Sequence, residues 1–462
     1  MSLLGSLDIG KRAMMNQTQS LKITGENISN VNTPGYSRKR IEVKSSIYTE
    51  QRELNFLESR RIRDKFIDKG IRNESQNLGN WEIKSQLYGQ IERIFLEPSE
   101  NGINNLLGEF WNSWEDLANN PENMTTRAVV IQRGISLAQS INRIDSALKD
   151  IRKTANDYID DRLELINQKA SQIANYNAKI QSIEASGQEA SNLRDKRDIF
   201  LDELSKLINI STIERDNGTI AVFIGGRAIV EDNIFNPIKA NNISSGGMVV
   251  TNLVWADDFS KVEINNGEIA GLIQTRDETI PNLIEKFDQL SQTLINSVNK
   301  IHNAGFGLDG VSGRDFFSGT GASDIKVNDD ATTGIVDHPE RIAASQNGEV
   351  GNNQIALDIA KLSDVRVTLD GTIIDSSDSI NISKFYSETV NSFGTDVKLS
   401  NMMLESVQMI VSDLEERKES VSGVSLDEEM TELIRLQKAY ESATKYMSVI
   451  DEMLDTLMRI GG

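Results

Sequence analysis

The chain has 462 residues, a formal net charge of −20 and 26% charged residues. That acidity argues against non-specific nucleic-acid binding as the main task, and the length suggests about three domains. It has no cysteine and two histidines, which leaves no disulfides, no thiol nucleophile and little material for a His-rich metal site or a His-based triad.

The first fifteen residues lack an unbroken apolar stretch, since Asp8, Lys11 and Arg12 interrupt them. No Sec-type signal and no membrane segment is expected, so the chain stays in the cytoplasm or leaves by a route without a cleaved signal. Residues 3–30 read as an amphipathic helix in which Leu7, Met14, Leu21 and Ile28 fall seven apart. Such a narrow stripe suits a helix–helix seam. Pro34 and Gly35 then predict a turn at Asn30–Tyr36, followed by an extended stretch at Ile41, Val43, Ile47 and Tyr48.

Helix is expected again from Phe56 to about Phe95, with Arg60, Arg61, Arg63 and Lys65 on a solvated face among Glu58, Asp64 and Asp68. A turn at Glu97–Gly102 precedes Phe110, Trp114 and Leu117, whose helical spacing predicts packing on a neighbouring helix. From Thr126 to Ile208 the pattern is helical, with Ile144, Ile151, Tyr158 and Leu165 seven apart and Ile141, Leu148 and Ala155 interleaved. This predicts a long coiled-coil-like rod with a break at Ser186–Gly187.

Ser211–Ile264 is rich in β-branched residues, and Asp216-Asn217-Gly218 marks a hairpin turn between strands, with a second turn at Gly225-Gly226. Helix returns over Glu268–His302, with Pro281 at its start or a kink; Leu283, Phe287, Leu290 and Leu294 form its buried face. His302 sits near the C-terminal end, where the dipole favours positive charge. Residues 303–350 are loop-rich, and Asp309, Asp315, Asp329 and Asp330 lack EF-hand spacing. Residues 351–400 combine short helices with a strand pair around Asp370-Gly371.

The last sixty residues hold the clearest pattern. Leu433, Tyr440, Met447 and Leu454 recur every seven residues, as do Leu436, Ala443, Ile450 and Leu457 three positions later. This is an a/d seam. The expected partners are the N-terminal helix and neighbouring copies. Asp427, Glu428 and Glu429 are explained by the helix dipole. No HExxH, GxSxG, Walker A or SxxK motif occurs, and the reading is a non-enzymatic assembly protein without cofactor or metal.

The segment Asn27-Ile28-Ser29-Asn30-Val31-Asn32-Thr33-Pro34-Gly35-Tyr36 resembles the N-terminal motif of the bacterial flagellar axial proteins, a family of rod, hook and hook-associated proteins. Ser29 replaces the usual alanine. Phe95–Ser99 running through Leu106–Trp111 to Asn120-Pro121 and Arg127, Leu193–Asp198 with Leu201–Leu204, and Ser422–Glu429 resemble the hook-associated members specifically. Only about 25 residues separate Phe317 from Ile342, so the outer β insertion common in the family is expected to be reduced.

The resemblance implies a mainly α fold with a smaller β part. A terminal helical domain of 1–55 with 405–462 would line an inner tube and be disordered in the monomer. A long-helix bundle would span 56–210, 265–303 and 351–404, with a β-hairpin region at 211–264 and a reduced outer loop region at 304–350. The implied role is an extracellular adaptor between the flagellar hook and filament, exported unfolded by the type III route. Implied partners are copies of itself in a ring layer, hook protein, a second junction protein and flagellin indirectly, and a cytosolic export chaperone on the C-terminal helix, with neither nucleic acid nor membrane. The assembly residues would be Leu7, Met14, Leu21, Ile28, Asn30, Asn32, Gly35 and Tyr36 with the C-terminal seam. Alternatives are another axial protein (filament-proximal junction protein or hook protein), or a secreted coiled-coil adhesin or enzyme. A pocket of convergent, perturbed titratable groups in 211–400 would favour the enzyme.

Overall fold

A computed structural model describes residues 3–44, 56–95, 97, 99, 102–186, 189–374 and 379–461. Ile47, Tyr48 and Gly187 lie outside the described residues. Helix α1 (Leu3–Ser29) leads into an antiparallel pair, β1 (Lys39–Lys44) and β2 (Phe56–Arg61), in the register Lys39 to Arg61 and Lys44 to Phe56. Residues 56–61 are therefore strand, not the helix expected there. Helix α2 (Lys65–Phe95) begins only after Asp64, whose carboxylate accepts from the Phe66 amide at 2.8 Å and supplies a missing partner of the first turn.

The body is built on α4 (Met124–Glu184), a single helix of 61 residues, about 90 Å long at 1.5 Å per residue. Its start is capped by Asn123, which accepts from Thr125 N at 2.8 Å. The chain turns just past Glu184 into α5 (Ser191–Leu207). Two separate apolar cores share α4. The first takes Ile141, Ile144 and Leu148 from it, and the second Ala155, Ile159, Leu163, Ile166 and Ile173.

The expected sevenfold pattern is met in part, since Ile141, Ile144, Leu148 and Ala155 are fully buried. Ile151, Tyr158 and Leu165 are only half-buried at the core margins. A straight α-helix drifts about 20° per heptad, so a seven-residue stripe walks off a flat core face and the 3.6-residue series replaces it. Helix α2 likewise serves both cores, giving Ile83 and Leu87 to the second and Ile91 and Phe95 to the first.

The second core is closed by a sheet ordered β3 (Ser211–Glu214), β4 (Ile220–Ile224), β5 (Arg227–Glu231) and β6 (Ile234–Phe235), and by the hairpin β7 (Ile238–Ser245) and β8 (Met248–Trp255). Asn217-Gly218 turns β3 into β4, and the β4–β5 turn has positive φ at both Gly225 (56°) and Gly226 (85°), as a type I′ hairpin requires. Helix α6 (Glu268–Gln274) passes through a π-helical turn, Thr275–Thr279, into α7 (Ile280–Asn303), so the irregularity lies just before Pro281.

The first core packs α3 (Ile103–Asn119) with its Phe110, Trp114 and Leu117 inward, as their spacing predicts. The loop segment after α7, with the short strands β9 (Phe317–Ser318) and β10 (Lys326–Val327), inserts Phe316, Phe317, Ile325 and Ile335 into the same core. Phe316 and Trp114 pack at a centroid distance of 5.3 Å. Asp309 pairs with Arg314, Asp329 with Lys326, and Asp330 caps the Thr332 amide.

His302 corrects the dipole argument. It is fully buried; its Nδ1 lies 2.7 Å from the Arg314 carbonyl, and its Nε2 accepts from Ala343 N at 2.9 Å. That pairing fixes the neutral tautomer with the proton on Nδ1. Burial lowers its pKa to about 4, despite the Arg314 carbonyl and Asp315.

Helix α8 (Gln354–Ala360) precedes a small bridged turn, Val367 with Ile373 and with Ile380, in which Gly371 has φ 76°. Helix α9 (Ile382–Ser422) is continuous through residue 404, where a domain boundary was expected. It runs antiparallel to α2, with Tyr386 and Phe393 in the first core and Lys418 beside Asp68 and Asp202. After Gly423, α10 (Leu426–Gly461) turns back to lie along α1.

Candidate assembly interface

The turn after α1 is built from its own residues. Asn30 closes the helix end through its side chain to Glu26 O at 2.8 Å, and Thr33 N and Tyr36 N bond to Asn30 O and Thr33 O. Gly35 has φ 76°, and a Cβ there would lie 2.7 Å from Ile199 of α5. Glycine is required twice over, by conformation and by space. Asn32 is exposed.

Beneath the turn lies Asn27, which is buried and whose amide uses its full capacity. Its oxygen accepts from Tyr36 Oη at 2.9 Å and Lys39 N at 3.1 Å; its nitrogen donates to Lys39 O and to Glu429 Oε2, both at 3.0 Å. Glu429 is 3% exposed and also takes Arg38 Nε at 2.7 Å. Arg38 reaches Glu428 as well, and its backbone N–H bonds to Ser422 O at the end of α9. Burial, reinforced by Glu26, Asp195 and Glu429, pushes the Tyr36 phenol well above its ordinary value, so it remains a donor.

The network continues into the body. Ser37 Oγ donates to Asp195 at 2.8 Å, and Arg61 bridges Asp195 and Asp198 at 2.8 and 2.9 Å. Arg63 joins Asp198 to Asp68, and Arg72 bonds Asp202 at 2.8 Å. Burial alone would raise the Asp198 carboxyl; Arg63, Arg61, Arg72 and Arg197 overcome it and hold the group far below the ordinary range. Thus the basic run at 60–65 is divided: Arg60 and Lys65 stay exposed, as expected, whereas Arg61 and Arg63 are not solvated. Arg61 and Arg63 are largely enclosed ion-pair partners of the buried Asp195 and Asp198, where removing one charge strands another. The Leu193–Asp198 stretch supplies Asp195 and Asp198 from one side of α5.

Among the seam residues, Leu436 and Ile450 are each 4% exposed, and Leu433, Ala443, Met447 and Leu454 are half-buried. Tyr440 and Leu457 stay exposed, Leu457 at 52%. On α1, Leu7, Met14, Leu21 and Ile28 are half-buried, whereas Gly10, Ile23, Thr24 and Asn27 are fully inside. The structure therefore brings the two helices together, with the fully buried α1 positions flanking the predicted stripe rather than lying on it. Sequence reasoning missed Asn27, Arg38 and Glu429. A dipole explanation suffices for an acidic first turn, and nothing local says that one of its carboxylates is buried.

Other large apolar residues of the last two helices are exposed. They are Met430, Ile434, Val449, Met453 and Met458 of α10, and Met402, Met409 and Ile410 of α9. Methionine adapts its shape to irregular partners, which suits a surface that meets other chains. A groove of about 1300 Å³ lies elsewhere, between α4, the β7–β8 hairpin and α7, beside Arg152, Asn156 and Met248. The strongly shifted Tyr36, Asp198 and His302 sit in packed internal networks, away from it.

Comparison with known proteins gives three matches in chain order. Residues 7–36 match a family described as flagella basal body rod protein. Residues 88–317 match the flagellar hook-associated protein FlgK helical domain, and residues 419–460 the flagellar basal body rod FlgEFG protein C-terminal family. Flagellar hook-associated protein 1 of Bacillus subtilis is 25% identical, over 99% of this chain and 98% of its own. The Escherichia coli protein of that name is 22% identical over 96% and 97%, and that of Salmonella typhimurium is 26% identical over 65% and 56%. The solved flagellar hook junction protein FlgK from Burkholderia pseudomallei aligns with a TM-score of 0.63 at 13% identity, covering 76% of this chain and all of that one. That last likeness concerns the fold.

Proposed function

We infer that this chain, which belongs to the flagellar hook-associated protein family, is a structural component of the bacterial flagellum that joins hook to filament and is needed for filament growth. One observation carries the reading. The two chain ends that match rod-protein families form a single helical pair, and methionine, isoleucine and valine side chains exposed on it are left uncovered by the described residues. A subunit of a tube needs such a face; a monomeric enzyme does not.

In this reading copies form a ring layer on the hook. The terminal pair lines the inner tube, and the two-core body faces outward. Until the two ends meet, each is disordered, because an isolated helix with a narrow seam does not offset an ordering cost of about 1–2 kcal/mol per residue. The chain travels unfolded through the type III export channel, with its C-terminal helix held by a cytosolic chaperone. The role is mechanical, not catalytic: the buried charges tie helices together.

The test is a strain lacking the gene. It should build hooks without filaments and release flagellin into the medium, and the wild-type gene should restore filaments. Normal filaments in the deletion strain would overturn the reading.

A further inference from the structure

A sevenfold seam has an ambiguity built into it. Sliding α10 along α1 by one heptad, about 10 Å at 1.5 Å per residue, sets apolar residues on apolar residues again. Both helices carry such repeats, so the seam alone does not choose among registers.

We propose that the buried contact of Asn27 with Glu429, backed by Arg38, is the pin that fixes the register of the terminal helix pair. The two residues lie 402 positions apart and come from opposite ends of the chain. All four hydrogen-bonding positions of the Asn27 amide are filled in this register, one of them by Glu429. A slip of seven residues puts Leu436 opposite Asn27. One amide N–H is then buried without a partner, and Arg38 loses its carboxylate. Buried polar pairs are costly when broken, and they set register in paired helices for that reason.

A second contact, seventeen residues away along α1, selects the same register. The pair is antiparallel, and Gly10 faces Met447: a Cβ on Gly10 would lie 2.3 Å from the Met447 sulfur. The absent side chain is the hole that Met447 occupies. After a slip, Gly10 would face Tyr440 or Leu454. Polar pin and steric hole thus agree, at opposite ends of the seam.

The register itself does not depend on the junction reading. Its consequence does: every copy would present its exposed apolar residues at the same height to its neighbours. The chain has no cysteine, so introduced pairs report alone. Purified full-length Gly10→Cys/Met447→Cys reads the native register, and Gly10→Cys/Tyr440→Cys and Gly10→Cys/Leu454→Cys, each with Met447→Ala to remove its clash with the side chain added at Gly10, read slips of one heptad either way. Under mild oxidation, disulfide yield on a non-reducing gel should favour the native pair by about tenfold. Adding Glu429→Ala should bring the three yields close to equal. Glu429→Gln keeps an acceptor for Asn27 and should fall between. The body's melting transition, followed in the same samples, should not move. Equal yields with Glu429 intact, or an undiminished native preference with Glu429→Ala, would overturn the pin. The deletion strain tests the junction reading separately, since the gel result is independent of hooks and filaments.

Discussion

The helical body and the terminal helix pair use their apolar residues in opposite ways. The body closes two cores around α4, where Ile144, Leu148, Ile159 and Ile166 are sealed from solvent. The pair seals a thin line that includes Ile23, Leu436 and Ile450, and leaves Met430, Ile434 and Met453 outside. Both regions carry sevenfold stripes in sequence. In α4 the stripe drifts away from the core, because partners surround the helix and the 3.6-residue series decides burial. In α10 a single partner helix lies alongside, so the sevenfold positions stay near the contact. A heptad pattern therefore reports how many partners a helix has as much as whether it is buried.

The largest expected effect breaks the pair and spares the body. Ile450→Asp with Leu454→Asp removes apolar burial worth about 1.5–3 kcal/mol per side chain and adds the desolvation of unpartnered carboxylates. Association of subunits should weaken on the order of 10³-fold or more. The melting transition of purified protein, followed by circular dichroism, should stay in place, and filaments should fail to grow. Export must be checked in the culture medium, because a chaperone would read the same face. A mutant that is exported and still supports filaments removes the seam from assembly. Loss of the melting transition would instead place the seam in the body's own core.

A smaller effect should strike the body alone. His302 accepts from Ala343 N only while neutral, and its pKa in the folded chain is about 4 against an ordinary 6.5. A group lowered in the folded state contributes its stability fully above the unfolded pKa and loses it as pH falls through the folded one. The window is therefore about pH 6.5 down to 4, and the loss approaches about 3 kcal/mol at its acid end. Denaturant unfolding at several pH values should show that slope, and His302→Asn should flatten it while lowering stability at neutral pH. Equal slopes for both proteins would mean that His302 is not the acid-sensitive group.

Much of this division was legible beforehand. The terminal helices, the long helix and the β3–β4 hairpin follow from periodicity and turn residues, which are local signals. The strand at 56–61 was not legible, because alternating charges there mimic a helix surface; the Asp64 cap was the available clue. Nor was the network joining pair to body. Arg61 reads as a solvated charge until Asp195 and Asp198, over a hundred residues later, arrive beside it. Partners that distant leave no mark in spacing. Composition records only that positive and negative charges are both present.

The smallest expected effect separates the two uses of apolar surface most sharply. Leu457 occupies a seam position by spacing, yet it is 52% exposed and stands beside Met458, at 76%. Within one chain it does little, so Leu457→Ala should change the stability of purified protein by less than about 0.5 kcal/mol. In a tube, the same side chain is available to a neighbouring copy. Truncating it there removes apolar area from every subunit contact, at roughly 25 cal/mol per Å². The expected outcome is an unchanged melting curve with shorter or fewer filaments, scored by electron microscopy of a strain carrying only the variant. Leu436→Ala is the matched control: it lies on the same helix but faces α1, so it should loosen the pair itself and raise protease cleavage of the chain ends in purified protein. If Leu457→Ala cells make filaments of normal number and length, the end of α10 carries no contact between copies.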